Sequence, residues 1–433
     1  MKKLHKGEEM FTWAHDLYPV CRSITGEGVR ETLRYIQCLI PDLKVHEIKS
    51  EEKVFDWEVP LEWNIAEAYI EDDSGRRIID FQNNNLHVVG YSEPIDMTLD
   101  LNELQKHLHS IPSQPDAIPY ITSYYSRNWG FCLSDNQRKE LKEGKYHVVI
   151  KSELKNGVLN YADLLIKGQS DKEVFLSTYV CHPSMGNNEL SGPIVTSALA
   201  QWVQEIENPY YSYRFVFIPE TIGSIVYLSK HISHLKDRVI AGFNITCIGD
   251  DRCYSFMPSR DANTLSDRVG KHILKSIDPE FKEYSWLYRG SDERQYCAPG
   301  IDLPIASIMR SKYDEYPEYH TSLDDLSLIS PKGLAGGLNA MIKSLEAIEF
   351  NCFPKTKILA EPQLGKRGLY PDTSTKESTD SVRTMMDFLT YADGKRDLIE
   401  IAELINVPIW ELYRIADIFL DQKIIDKHKG KYE

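Results

Sequence analysis

The sequence predicts an α/β fold, in which a mixed sheet is flanked by helices, with a β-rich insert and a C-terminal winged-helix-like module. Three observations predict it. Apolar strands alternate with helical patterns from residue 147 to about residue 350, as is typical of α/β domains. Short alternating segments separated by turn residues fill residues 57–146, which indicates a β-rich region. Residues 377–433 carry helical patterns followed by a short apolar pair.

Two helices are predicted at the N-terminus, before the β-rich region. Apolar residues recur at helical spacing over Met10–Cys21 and Gly28–Leu39, and the segment Arg22–Gly28 forms a turn between them. A chain of 433 residues is too long for one ordinary domain. We therefore predict a discontinuous first domain of residues 1–55 and 147–353, interrupted by an inserted domain of residues 56–146.

The α/β pattern resumes after the insert. The predicted strands are His147–Ser152, Gly157–Ile166, Val174–Val180, Tyr213–Ile218, Val239–Cys247 and Leu303–Met309. The predicted helices are Leu190–Glu205, Ser224–Leu235, Leu265–Ile277 and Gly333–Ile348, the last with Pro331 near its start.

The C-terminal part is predicted to be helical. A polar linker over residues 354–376 precedes residues 377–433, where two short helices meeting at Asn406–Pro408 resemble a helix-turn-helix. The second of these helices, Ile409–Gln422, holds three carboxylates and a single arginine. Phosphate binding depends on clustered Lys and Arg, so we predict a packing or oligomerisation role for this module and no nucleic-acid binding.

Composition narrows the class of protein. The net charge of −15 argues against nucleic acid or an anionic membrane as the main partner, and no apolar run approaches the ~20 residues of a membrane helix. The polar N-terminus does not resemble a signal peptide. The eight cysteines form no CxxC pair, which favours free thiols in a reducing compartment, so a cytoplasmic protein is expected.

The most informative segment is CHPSMGNNELSG, residues 181–192. It follows the apolar strand Val174–Val180, so His182 is expected at the mouth of the sheet, where α/β folds place their ligand sites. Asn188 and Glu189 offer oxygen and amide groups close by. We therefore predict that His182 is a metal ligand, against the alternative of a structural histidine, and that Glu189 assists it or faces solvent.

Two further segments end near the same edge of the sheet. Glu220 follows the apolar stretch Phe215–Ile218, where partial desolvation would raise the pKa of its carboxyl toward the range of a general base. The alternative is a helix cap. His320 lies in the tyrosine-rich segment YPEYHTSLDD, and with His182 it would supply a second imidazole, a preferred zinc ligand.

A polar cluster at residues 291–295 completes the set of candidate residues. Arg294 could bind a carboxylate in a fork, and Asp292 stands beside it. A solvated loop is the alternative. We expect four residues to hold a substrate: Arg294, Asp292, Tyr319 and Asn188.

These motifs, in this order, resemble those of the zinc aminopeptidase family. The residues that carry the resemblance are His182, Ser191–Gly192, Glu220 with Gly223–Ser224, Ser291–Asp292 and Tyr319–His320–Thr321, within residues 147–350. The strings RSITGEG, WGFCLS, CHPS, PETIGS and YPEYHTSLD resemble more closely a bacterial group of aminopeptidase-like proteins with an inserted domain and a C-terminal winged helix. The resemblance implies an aminopeptidase-like (phosphorylase/hydrolase-like) fold, zinc as the cofactor, and amide hydrolysis.

The sequence departs from the zinc family at three ligand positions. Asn188 stands where the family has a metal-bridging Asp, Glu220 stands alone where the family has paired glutamates, and Thr246 stands where the family has a later Asp. We therefore expect one zinc ion, with two as the alternative, held by His182, Glu189 and His320, with Glu220 as the general base.

The predicted substrate is a peptide or an N-acylated small molecule. The alternative function belongs to another class. It is a binding or regulatory protein that has the aminopeptidase-like fold but a catalytically degenerate site, and that does not hydrolyse a substrate. A homo-oligomer is left open.

Overall fold

The computed structural model describes residues 2–369 and 376–432. An eight-stranded mixed sheet forms its centre, in the order β1-β10-β12-β11-β13-β16-β14-β15. Strands β12, β11, β13 and β16 are parallel, while β1 and β10 run antiparallel to their neighbours. Strand β14 is antiparallel to β16 and parallel to β15. The strands are β1 (Lys44–Lys49), β10 (Val158–Ile166), β11 (Glu173–Tyr179), β12 (Ser212–Ile218), β13 (Val239–Asn244), β14 (Ser255–Met257), β15 (Lys282–Glu283) and β16 (Ile305–Met309).

The central strands are covered on both faces. Every residue of β11 and β12 is buried, which explains why these strands read as continuous apolar runs in the sequence. Helices α1, α2, α5, α7 and α9 pack on one face, while α6 and α8 lie with the insert on the other. The helices are α1 (Lys2–Leu17), α2 (Glu27–Leu39), α5 (Ser191–Gln204), α6 (Ile222–Arg238), α7 (Leu265–Ile277), α8 (Glu293–Tyr296) and α9 (Pro331–Phe350).

Two local sequence features explain where helices α9 and α5 lie. Ser330 accepts a hydrogen bond from the Gly333 N–H and Pro331 occupies the first turn, so α9 begins at Pro331, two residues before the predicted start at Gly333. A Cβ on Gly192 would stand 2.5 Å from Thr178 Oγ1 and 2.6 Å from the Ile245 carbonyl oxygen. Only glycine therefore lets the start of α5 pack this closely on the sheet.

The insert is β-rich, as predicted. Its main part is a four-stranded antiparallel sheet in the order β5-β4-β9-β6, and β9 continues past the predicted boundary at residue 146. Its strands are β2 (Lys53–Val54), β3 (Trp57–Glu58), β4 (Glu62–Glu71), β5 (Arg77–Asp80), β6 (Ile95–Asp100), β7 (Leu108–His109), β8 (Phe131–Cys132) and β9 (Lys145–Lys155). Two short helices are α3 (Leu101–Leu104) and α4 (Asp135–Lys139).

The C-terminal module has the predicted helices, and a two-stranded wing completes it. Strand β17 (Phe353–Thr356) pairs antiparallel with β18 (Ile425–His428), so the first residues of the predicted linker belong to the wing. Residues 370–375 of that linker lie outside the described part of the chain. The helices are α10 (Lys376–Tyr391), α11 (Leu398–Ile405) and α12 (Trp410–Asp421).

The C-terminal module is packed against helix α7. Arg268 donates to both carboxylate oxygens of the buried Asp397, at 2.6 and 2.8 Å. The Ile409 N–H donates to His272 Nε2 at 2.9 Å, and apolar residues of the module extend the core of the main domain. Within the described residues, no helix combines the length and the apolar character needed to cross a membrane.

Candidate metal and catalytic site

His182 is held at the carboxyl end of β11 with one ring nitrogen left open. The loop returns through a turn of π-helix over Gly186–Leu190, which places Glu189 next to the imidazole. Glu189 Oε2 accepts hydrogen bonds from the His182 backbone N–H at 2.9 Å and from Nδ1 at 3.1 Å. A carboxylate only accepts, so Nδ1 carries the proton and Nε2 presents a lone pair in the neutral ring.

Glu189 is in turn engaged by an arginine that sequence reasoning did not single out. Arg22 Nε lies 3.2 Å from Glu189 Oε1, and both side chains are fully buried. The Arg22 guanidinium also donates to the carbonyl oxygens of His182 at 2.9 Å and Leu17 at 2.8 Å. The signal available in the sequence was the motif RSITGEG, which was interpreted above as a turn and as part of the family resemblance, with no role assigned to Arg22.

His320 reaches the same place from the loop after β16. The centroids of the His182 and His320 rings are 5.4 Å apart, and the Tyr120 ring of the insert lies 5.1 Å from each. The Tyr120 N–H donates to the His320 carbonyl oxygen, which fixes the loop in an unusual backbone conformation with a φ of 53°. The structure thus brings the two predicted imidazoles together and shows that the insert helps to place them.

The His320 side chain is half-buried, and its ring is neutral. It stacks on Tyr319 with a centroid distance of 3.9 Å, and its Nε2 is buried without a hydrogen-bond partner. Burial, with a smaller effect of His182, lowers the pKa of His320 to about 3. An imidazole of this kind has a free lone pair at neutral pH, which is the form that binds a metal.

Glu220 faces the open side of His182. Its Oε2 lies 3.7 Å from His182 Nε2, and its Oε1 accepts a hydrogen bond from Ser291 Oγ at 2.8 Å. Burial raises the pKa of the Glu220 carboxyl, and the nearby His182 opposes that shift. Burial also lowers the pKa of His182, but Glu189 and Glu220 outweigh it and raise that pKa overall.

Asp292 supports the turn that carries Glu220. Its Oδ1 accepts from the Thr221 N–H at 2.8 Å and from Ser224 Oγ at 2.7 Å, while its Oδ2 is buried without a partner. Burial and the neighbouring Glu220 raise the pKa of Asp292 to about 8. Arg294 is exposed beside this turn and donates to Thr221 Oγ1 at 2.7 Å.

Asn188 belongs to a neutral hydrogen-bonded group where the resemblance implies carboxylate ligands. Tyr179 OH donates to the Asn188 carbonyl oxygen at 2.7 Å and lies 2.6 Å from Thr246 Oγ1. The Asn188 N–H donates to Asp324 Oδ2 at 2.9 Å. Sequence reasoning missed Tyr179 and Asp324; the pair Asp324–Asp325 was visible in the sequence only as part of the His320 segment.

The residues present fit a metal such as zinc. His320 Nε2 is an orphaned buried acceptor close to His182. Cys181, His182 and Glu189 each have one ligand atom within 4.8 Å of the others, and all three residues are buried. Imidazole and carboxylate are the donor types that catalytic zinc sites use.

The fold and this site define the class of protein: an aminopeptidase-like α/β fold with a C-terminal winged helix-turn-helix domain. The zinc aminopeptidase of Bacillus subtilis has this fold, with a TM-score of 0.55 at 13% identity over 78% of this chain and 94% of that chain. A crystal structure from Clostridium acetobutylicum, provisionally described as a peptidase, matches with a TM-score of 0.93 at 39% identity over 98% and 97% of the two chains.

The chain belongs to the family described as "Domain of unknown function (DUF4910)", which matches residues 11–351. Residues 352–427 match the winged helix-turn-helix family. A Clostridium acetobutylicum protein is 42% identical over 92% of this chain and 91% of its own length, and its provisional name is polysaccharide biosynthesis protein with aminopeptidase-like domain. The predicted resemblance and the predicted fold class are therefore confirmed.

Proposed function

We propose that this protein is a metal-dependent hydrolase that cleaves an amide bond in a peptide or an N-acylated small molecule. The observation that carries the proposal is the meeting of His182, His320 and Glu220 at the strand ends of an aminopeptidase-like fold. The two imidazoles lie 5.4 Å apart, and the Glu220 carboxyl lies 3.7 Å from His182 Nε2.

We further propose His182 Nε2 and His320 Nε2 as the imidazole ligands of one zinc ion. Glu189 Oε2 accepts hydrogen bonds from the N–H groups of His182, which supports an orienting role for Glu189. Its Oε1 lies 3.2 Å from Arg22 Nε but is buried without a hydrogen-bond partner. Direct ligation by Glu189 stays a prediction. A zinc ion bound here would supply Lewis-acid polarisation of the scissile carbonyl.

Glu220 is the proposed general base. Its half-buried carboxyl has a raised pKa and lies on the open side of His182, which is where a water molecule could be deprotonated. Ser291 holds one of its oxygens, so the other is free to accept the proton. Arg294, Asp292, Tyr319 and Asn188 remain the proposed substrate-binding residues.

The name of the Clostridium relative includes polysaccharide biosynthesis, and this narrows the proposed substrate class. It leads us to include amides attached to carbohydrates among the N-acylated small molecules that this site would cleave.

A second candidate function is binding or regulation without hydrolysis. The specific observation in its favour is the neutral group of Asn188, Thr246 and Tyr179, whose oxygen atoms are joined by hydrogen bonds where the resemblance implies carboxylate ligands. The Asn188 Nδ2 group is buried there without a partner. A site of that composition holds fewer metal ions than a two-zinc aminopeptidase.

Metal content of the purified full chain separates the two functions. Zinc near one ion per chain in the parent, lost in His182→Ala and in His320→Ala, supports the hydrolase. The control His428→Ala changes a histidine of the exposed wing and should keep the metal. A parent that takes up no zinc on reconstitution, and cleaves no amide in a panel of peptide and N-acyl substrates, favours the binding protein.

A further inference from the structure

Two adjoining cavities open beside Glu220 and share the side chains of Tyr124 and Tyr125. The inner cavity has a volume of about 220 Å³ and includes Glu220, Cys181 and Trp57 in its lining. The outer cavity has a volume of about 230 Å³ and lies against the insert. One ligand could therefore extend from the candidate catalytic carboxyl to the surface of the insert.

The inner cavity is apolar apart from its catalytic end. Ile24, Ile222 and Trp57 line it, together with the two shared tyrosines. A short apolar group fits such a space, because burial there removes apolar surface from water. The Glu220 carboxyl would then stand next to the bond that joins this group to the rest of the ligand.

Trp57 and Tyr125 form an exposed aromatic shelf at the junction of the cavities. Their ring centroids are 5.9 Å apart and their planes are inclined at 65°, so a sugar ring that lies on one of them meets the edge of the other. Trp57 and Tyr125 are 40% and 56% exposed. Tyr125 OH donates to the Glu58 carbonyl oxygen at 3.2 Å. Trp57 and Glu58 belong to the hairpin of strands β2 and β3, and an ion pair between Glu52 and Lys230 attaches this hairpin to helix α6. Exposed aromatic faces held in place in this way are typical of ligand-binding grooves.

The outer cavity borders the Tyr125 side of the shelf and presents hydrogen-bond donors as well as acceptors. Ser123 and Ser126 contribute hydroxyls, Glu51 and Glu58 contribute carboxylates, and the charge of Arg127 is paired with Glu93 at 2.8 Å. Hydroxyl-rich ligands match such a mixture, because each hydroxyl is both donor and acceptor. A pyranose ring adds an apolar C–H face that can lie on an aromatic ring.

We propose that these two cavities bind an N-acylated amino sugar, with the sugar ring on Trp57 and Tyr125 and the acyl group in the inner cavity. The proposed binding of the sugar is supported by the two cavities and by the aromatic shelf of Trp57 and Tyr125. The chemistry rests on the proposed function: water adds its oxygen to the acyl carbon, the C–N bond breaks, and the nitrogen takes a proton. The products are a carboxylate and the free amino sugar.

The test measures binding without metal, so that it does not depend on turnover. The probe is N,N′-diacetylchitobiose, titrated by calorimetry and by tryptophan fluorescence into the full chain with a chelator present. We expect saturable binding that Trp57→Ala or Tyr125→Ala weakens about tenfold, since aromatic stacking contributes on this scale. Trp57→Phe, which keeps a ring, should recover most of the affinity.

Tyr288→Ala is the matched control. Tyr288 is 60% exposed but lines neither of the two cavities, so its loss should leave sugar binding unchanged. Absence of saturable sugar binding overturns the proposal, as does binding that the shelf variants leave intact. Preferential binding of a dipeptide amide at Trp57 also overturns it. If the sugar binds at the shelf but the zinc-loaded protein cleaves no amide, the binding site stands and the proposed hydrolase function fails.

Discussion

Arg22 and Glu189 form an ion pair in which both side chains are fully buried, with Nε and Oε1 separated by 3.2 Å. The other Glu189 oxygen, Oε2, accepts hydrogen bonds from the backbone N–H and the Nδ1–H of His182. The pair therefore links the turn between the first two helices to the imidazole of His182, whose Nε2 faces Glu220. Fold stability and site geometry depend on the same two residues.

Replacing Arg22 with Met should lower the free energy of unfolding by ~3–5 kcal/mol, because Glu189 would be left charged and unpaired in the core. Urea denaturation measures this. The double variant Arg22→Met/Glu189→Met should recover part of the loss. Arg34→Met, which removes an exposed pair with Glu27, is the control and should change stability by ~1 kcal/mol or less. An Arg22→Met protein as stable as the parent would contradict this.

Glu189→Gln should weaken zinc binding by ~10–100-fold without unfolding the chain, because Gln no longer holds the His182 N–H groups with a full negative charge. Competition with a chelator measures the affinity. The expected loss is smaller than that of His182→Ala, which removes a proposed ligand. Equal losses in the two variants would instead assign Glu189 as a ligand, as the sequence predicted.

Glu220→Gln should keep zinc and fold while lowering turnover by ~10² or more, because the amide cannot accept the proton from water. Metal analysis and kinetics on the same preparation separate the two effects. Loss of metal from the variant would make Glu220 a ligand. Unchanged turnover would move the general base to another residue.

The sequence could predict the strand ends and their polar residues, because buried parallel strands read as unbroken apolar runs and His182 and Glu220 follow two of them. It could also predict the insert, from the change of periodicity after residue 56. It could not predict Arg22 or Tyr120, whose contacts with His182 and His320 span long sequence separations. The motif RSITGEG marks the turn that holds Arg22 but not its partner, since both residues act through groups that only the folded chain brings near.

The contact between His272 and Ile409 should make the C-terminal module sensitive to acid. Burial, with smaller effects of Lys275 and Arg268, lowers the pKa of His272 to about 4. Its Nε2 must be unprotonated to accept the Ile409 N–H. A depressed folded-state pKa means that the unfolded chain binds the proton first. The stabilisation is complete above the unfolded pKa of about 6.5 and is lost as the pH falls through about 4.

Unfolding measured between pH 7 and pH 4 should show this loss, which is on the order of 3 kcal/mol at most. His272→Gln keeps a side-chain acceptor but cannot titrate, so it should flatten this part of the pH profile. His15→Gln, on the exposed side of α1, is the control and should leave the profile unchanged. A parent profile that His272→Gln does not alter would contradict the assignment.

The C-terminal module should not bind duplex DNA, although its family is a winged helix-turn-helix. Helix α12 carries Glu411, Asp417 and Asp421 against Arg414, and the wing residue Lys427 is paired with Asp417 at 3.1 Å. Helices α11 and α12 bury Ile399, Leu412, Phe419 and other apolar residues in a core shared with the main domain. Specific DNA binding requires clustered cations that contact phosphates, and this face is acidic.

A titration of the full chain with duplex DNA at low salt tests this, and we expect no saturable binding. Asp417→Lys together with Asp421→Lys provides a comparison, because it removes two carboxylates and adds two cations on the same helix. If weak, salt-sensitive binding appears in that variant and is absent from the parent, charge on α12 is the deciding factor. Submicromolar binding by the parent that falls steeply with added salt would show that the acidic helix is not the DNA-facing surface, and would favour the regulatory function over the hydrolase.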